Sequence, residues 1–171
     1  MTHLFNFTVL LCVVCVATSI AQAQSCVDNI PAATAIKHFQ VNQDGTLTHH
    51  KIMWSQCALG QTWRNGKCEG EAQFKTWNQS IELANTATLY NYQDWRLPTI
   101  HELSSITELS CQNPAINLQL FPDTPSVSFW AGTEFINDRN LAWQVFFGSG
   151  ENHTAKKSTT AAIRLVRTIK K

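Results

Sequence analysis

Four cysteines behind an apolar leader constrain this chain more than any other feature. Six cysteines occur in 171 residues. Cys12 and Cys15 lie in the leader; Cys26, Cys57, Cys68 and Cys111 follow it. Leu4 to Ile20 carries no charge, Val9 to Val16 is unbroken and apolar, and Ala21-Gln22-Ala23 has the small-x-small form of a signal peptidase site. Residues 1–23 are therefore read as a signal peptide cleaved after Ala23. The apolar run is short for a bilayer-spanning helix of about 20 residues, which weighs against an uncleaved anchor. Lipid attachment at Cys26 is disfavoured because Ala23, three residues before it, is not a large aliphatic residue. The expected destination is export, to the periplasm, the cell surface or the medium.

An even number of cysteines in an exported chain reads as two disulfides. Three pairings are open. Cys57 and Cys68 bracket a segment containing Gly60 and the turn pair Asn65-Gly66, and a hairpin there brings the two sulfurs together. The expected bridges are thus Cys57–Cys68 and Cys26–Cys111. A zinc site is the rival, but the spacings lack paired CxxC motifs.

Behind the leader, residues 24–171 suffice for one domain with a sizeable core. Residues 24–45 read as a lead-in, 46–168 as the domain and 169–171 as a basic tail. Thirteen basic and twelve acidic residues nearly cancel, so overall charge names no partner and argues against a nucleic-acid module. The distribution says more. After Glu151 there is no acid, while Lys156, Lys157, Arg164, Arg167, Lys170 and Lys171 follow. This clustering reads as a solubilising tail with two strand arginines, and a basic face that attracts an anionic polymer is the alternative.

Asn42-Gln43-Asp44-Gly45 is a turn, and Thr46 to Trp54 is extended in character. Thr76 and Gln79 fit a capping box opening a helix whose inner face is Trp77, Ile81, Ala84 and Thr88. Trp95-Arg96-Leu97 is extended, because Pro98 disfavours helical angles at Leu97. Thr99 and Glu102 form a second capping box, with Ile100, Leu103, Ile106 and Leu109 on the inner face. Val127 to Thr133, Leu141 to Phe147 and Ala162 to Arg167 read as strands, with Trp130 and Trp143 as mid-strand core. The order of elements predicts an α+β domain. Arg96, if buried, needs a partner, and Glu102 is the candidate, although capping competes for its carboxylate.

Met53-Trp54, Trp95-Arg96-Leu97-Pro98-Thr99 with Glu102-Leu103, Phe121-Pro122, Phe129-Trp130, Ala142-Trp143-Gln144-Val145-Phe146 and Ile163-Arg164-Leu165-Val166-Arg167 occur in an order that resembles one bacterial family. This is the Lcl C-terminal domain family, named after a collagen-like adhesin. The resemblance covers roughly residues 40–168. Ala131-Gly132-Thr133 departs from it, since Ser-Ser-Thr or similar is usual there. The family resembles the C-type-lectin-like and formylglycine-generating-enzyme-like superfamily. The resemblance therefore implies a C-type-lectin-like fold, with two helices packed on a twisted antiparallel sheet. The residues of the Trp95–Glu102 motif themselves read as structural, with Trp95 and Leu97 alternating with Arg96, Pro98 ending the segment and Thr99 capping the next helix.

The resemblance also frames the chemistry. Formylglycine-generating enzymes use a cysteine pair late in the domain, and no cysteine lies beyond Cys111. C-type lectins bind calcium through Glu-Pro-Asn or Gln-Pro-Asp and Trp-Asn-Asp triplets, none of which occurs. There is no Gly-x-Ser-x-Gly. His38, His49, His50, His101 and His153 show no metal spacing, and His49-His50, read on a strand, point to opposite faces. No catalytic residue, metal site or cofactor is expected. What remains is recognition by loops between late strands, Asp123 to Ser126 and Glu134 to Asn140, bordered by Lys156 and Lys157. The candidate ligand residues are Asp123, Glu134, Asn137, Asp138, Arg139, Lys156 and Lys157. The namesake adhesin binds sulfated glycans, so the resemblance implies an anionic glycan as ligand. The expected function is a non-enzymatic exported recognition domain for a glycan or an envelope protein. The alternatives are an assembly subunit of an envelope or surface appendage and a divergent formylglycine-superfamily enzyme.

Overall fold

The computed structural model describes residues 23–170; the leader lies outside the described residues. The chain runs through β1 (Ser25–Cys26), a 3-10 turn (Ile36–His38), β2 (Gln40–Val41), β3 (Thr46–His49), β4 (Ile52–Ser55), β5 (Thr62–Arg64), β6 (Lys67–Glu69) and β7 (Phe74–Lys75). Helices α1 (Trp77–Thr86) and α2 (Ile100–Ser104) follow. Then come β8 (Cys111–Gln112), β9 (Ser128–Glu134), β10 (Leu141–Phe146), β11 (Glu151–Lys156), β12 (Ala161–Ala162) and β13 (Val166–Thr168). The architecture is α+β.

Two sheets carry the fold. One has the order β11-β10-β9-β12-β7 and the other β13-β4-β3-β2. The predicted strand Ala162 to Arg167 is divided between them. Ala162 pairs with Phe129 and Phe74 in the first sheet, and Val166 pairs with Trp54 in the second. Between them Ile163, Arg164 and Leu165 are wholly buried, and their carbonyls serve neither ladder regularly. Instead Leu59 N donates to Ile163 O and Ser55 N to Leu165 O. The late strand β11 was not expected, because its polar run Glu151–Lys156 lies at the outer edge of its sheet, where no apolar pattern is required.

Both capping boxes form. Helix α1 ends at Thr86, so Thr88 lies beyond it and is exposed, while Ser80 and Ala84 are its buried residues. The Trp77 indole donates to Ala131 O at 2.8 Å and ties the helix to β9. Helix α2 is only five residues long. Ile106 still enters the core, but Leu109 is 70% exposed, because the chain has left the helical repeat. Trp143 is half-buried, edge-on to Phe135, while Gln144 on the other face is buried. Trp143 still packs, partly buried, against the cluster that holds Phe129, Val145 and Phe147. Trp130 does lie in the core, with Phe121, Phe129 and Phe147, each fully buried and each contributing roughly 2–3 kcal/mol by area.

Both expected disulfides form, Cys26–Cys111 across 85 residues and Cys57–Cys68 across 11. They use all four sulfurs beyond the leader, so the zinc alternative has no thiolate to offer. Cys57–Cys68 staples the β5–β6 ribbon, whose Trp63 lies over the Asn42–Gly45 turn and donates to Gln43 O at 3.1 Å. Gly45 has φ +92°, and a Cβ there meets the Trp63 ring. The lead-in is docked on the domain. The Glu108 carboxylate accepts from Ala33 N, Thr34 N, Thr34 Oγ1 and Ser110 Oγ. These bonds outweigh the burial that would raise its pKa, and hold it down at about 2.

Candidate functional site

The Trp95–Glu102 motif is a structural joint. Arg96 pairs with Val166 through two backbone hydrogen bonds at the edge of the second sheet. Trp95 and Leu97 alternate with it and are buried. The Trp95 indole donates to Leu89 O, and Tyr90 and Tyr92 meet its ring edge-on. Arg96 Nη1 and Nη2 each reach a Glu102 oxygen at 2.7 Å, while Thr99 N donates to Glu102 Oε2 at 2.8 Å. Pairing and capping therefore do not compete; one carboxylate serves both. Burial works to raise the Glu102 pKa, but the Arg96 and Thr99 bonds prevail and lower it. Gly132 donates to Pro98 O at 2.8 Å, and a Cβ on it lies only 3.2 Å from the Leu97 Cβ. The glycine thus suits this close approach of strand and motif.

The alternative of a basic face does not assemble. Arg164 is fully buried, donating to Ser55 O, Gln56 O and Thr124 Oγ1 and lying over the Phe121 and Phe129 rings. Burial lowers its pKa. Arg167 forms a two-pronged pair with Asp94, at 2.6 and 3.1 Å, and covers the Tyr92 ring. This contact lowers the Asp94 pKa. Charge in this segment was legible; its burial was not, because both arginines lie within an apolar strand pattern.

A smaller cationic site does assemble. An open cleft of 680 Å³ is lined by Asn78, Asp138, Arg139, Asn140, Lys156, Lys157 and Ser158, with Leu141. Four of the expected residues, Asp138, Arg139, Lys156 and Lys157, therefore meet. Backbone pairing explains how. Leu141 lies opposite Lys156 in the β10–β11 ladder, and Lys157 N donates to Asn140 O. Trp77 N donates to Lys157 O, which brings the first turn of α1 and Asn78 to the same place. No acidic residue stands in that first turn.

The charges in the cleft are not equivalent. Lys157 pairs with Glu134 at 3.0 Å and lies over the Trp77 ring, so Glu134 acts through Lys157. Asp138 Oδ1 accepts from Asn140 N and Nδ2, an Asx turn that shapes the loop. Glu134 and Asp138 are thus each engaged within the protein, and Asn137 is exposed without lining the cleft. Among the described residues Arg139 and Lys156 form no ion pair. Asp123 does not join them. It sits at φ +52°, and its Oδ2 accepts from Cys68 N at 2.8 Å, holding the β5–β6 ribbon. Asn78 and Ser158 were not foreseen, since neither carries a charge or a motif.

Residues 46–167 match the family described as Lcl C-terminal domain. The chain belongs to that family. The Lcl C-terminal domain match takes in the first sheet, the second sheet apart from β2 and the last residue of β13, both helices, the Arg96–Glu102 joint and the whole cationic cleft. No curated protein matches the chain. Among the described residues no helix is long and apolar enough to cross a membrane.

Proposed function

We propose that this chain is an exported, non-enzymatic recognition domain that binds an acidic glycan in the cleft between Arg139 and Lys156. The observation that carries the reading is a pair of cations, Arg139 and Lys156, that form no ion pair among the described residues and line an open polar cleft. Asn78 and Ser158 line the cleft beside them with an amide and a hydroxyl. A sulfate or carboxylate on a sugar ring satisfies the cations, and the amide and hydroxyl groups suit its hydroxyls. The C-type-lectin-like reading of the fold belongs to this proposal, supported by two helices against antiparallel strands and by ligand residues on late loops. Export is supported by two disulfides behind the apolar leader. Titration of the protein at neutral pH with sulfated and with neutral oligosaccharides tests the reading. Saturable binding of the sulfated series alone, weakening as salt rises, supports it. Equal binding of the two series, or none, contradicts it.

A second reading, an assembly subunit of the envelope, is favoured by one observation. Val27, Ile30 and Leu109 are each more than half exposed, and Val27 N donates to Ser110 O beside Leu109. Co-purification of an envelope protein that is lost on Leu109→Ser supports this reading.

A further inference from the structure

At one end of the four-stranded sheet, three histidines line an open cavity of 370 Å³. His38 closes the 3-10 turn, His49 is the last residue of β3, and His50 lies in the β3–β4 turn. On a continuous strand His49 and His50 would point to opposite faces. The expected arrangement fails because His50 adopts φ +54°, in the left-handed region. Its ring instead stacks on His49 with centroids 4.2 Å apart, and Phe39 meets His49 at 4.6 Å.

Among the described residues no carboxylate pairs with these histidines, and lysines lie on the adjoining turns. The 3-10 turn contributes Lys37 and the β3–β4 turn Lys51. Strands β2, β3 and β4 carry no charged residue besides His49. On β13, beside β4, Arg167 is already paired with Asp94. Lys170 follows Ile169, whose amide donates to Lys51 O. Among the described residues none of the three histidines, Lys37, Lys51 or Lys170 forms an ion pair. Burial lowers the His49 pKa, and His50 and His38 lower it further. Among the described residues no three His, Cys, Asp or Glu side chains are arranged to hold a metal ion. Clustered imidazoles that repel one another's protons, on turns that also carry lysines, suit an anion instead.

We propose that the His38–His49–His50 cavity is an acid-dependent anion site, taking a sulfate or carboxylate group when its imidazoles protonate. It is separate from the Arg139–Lys156 cleft, shares no residue with it and does not depend on it. Proton uptake and anion binding are reciprocal. Acid tightens the anion, and the anion raises the histidine pKa values by the same coupling. The whole gain in affinity on acidification is set by the summed rise in the imidazole midpoints, so two rises of half a pH unit allow about tenfold in all.

The test follows the histidine ring resonances of the exported protein through a pH titration. It is run in sodium chloride alone, with sodium sulfate at equal ionic strength, and with a heparin tetrasaccharide. The expected result is a rise of about half a pH unit or more in the His49 and His50 midpoints. Affinity at about pH 5.5 should exceed that at about pH 7.5 by roughly tenfold. The ratio should fall to about twofold or less in a folded His49→Gln/His50→Gln variant. A response to sulfate identifies a site for the free anion; a response to the tetrasaccharide only identifies a saccharide-borne group. Midpoints unmoved by either ligand overturn the proposal, as does a pH dependence that survives in the double variant. The Arg139–Lys156 cleft contains no histidine and binds at neutral pH, so failure of one site leaves the other measurable.

Discussion

Glu102 holds both nitrogens of the Arg96 guanidinium at 2.7 Å and, with the same carboxylate, accepts the Thr99 amide that opens α2. One side chain thereby links the edge of the second sheet to the cap of a helix that packs on β9 and β10 of the first. Glu102→Ala removes the pair and the cap together and should cost about 2 kcal/mol, measured by urea unfolding. Arg96→Lys keeps the charge but loses the fork. It should recover less than half of the loss caused by Arg96→Ala.

Glu108 gives the protein an acid-sensitive anchor. Its folded pKa of about 2 lies below the model-peptide value of 4.5, so its stabilisation is present above about pH 5 and is lost as pH falls towards 2. Unfolding free energy should therefore decline over that range, with roughly 3 kcal/mol traceable to this group. Glu108→Gln should flatten that part of the profile and speed hydrogen exchange at Ala33 and Thr34.

Arg164 is the buried cation on which the segment between the sheets depends. Arg164→Ala leaves the Ser55 and Gln56 carbonyls without its guanidinium and opens a void beside Phe121 and Phe129. A loss of about 3–5 kcal/mol is expected from chemical denaturation, enough to unfold a marginal domain.

The two disulfides should differ in weight. Replacing Cys26 and Cys111 by serine frees a loop of 85 residues and should cost about 4–5 kcal/mol. The corresponding change at Cys57 and Cys68 frees only 11 and should cost about 3 kcal/mol, read from denaturation midpoints.

Much of this was legible because local chemistry enforces it. Thr76 with Gln79 and Thr99 with Glu102 signal helix starts whatever surrounds them, and both boxes form. Helix ends were less legible. Thr88 and Leu109 continue an apolar spacing, but nothing at those positions enforces a helix, and the chain leaves it. The cleft was half legible, since Asp138 and Arg139 were read on a late loop bordered by Lys156 and Lys157, but the β10–β11 ladder that joins them was not. What sequence could not reveal was how much charge is already spent. Arg164 is desolvated, Arg167 is taken by Asp94, and Lys157 by Glu134 and the Trp77 ring. Asp123 shares the acidic character of the loop residues but serves the Cys68 amide.

The central claim is that Arg139 and Lys156 do the binding. The most direct measurement is the affinity of a heparin tetrasaccharide at neutral pH for the native protein and for Arg139→Glu/Lys156→Glu. Both residues are exposed and unpaired among the described residues, so the double variant should keep its stability within about 1 kcal/mol. The account predicts an affinity at least about tenfold weaker and a shallower dependence on salt. Undiminished affinity in the folded variant contradicts it.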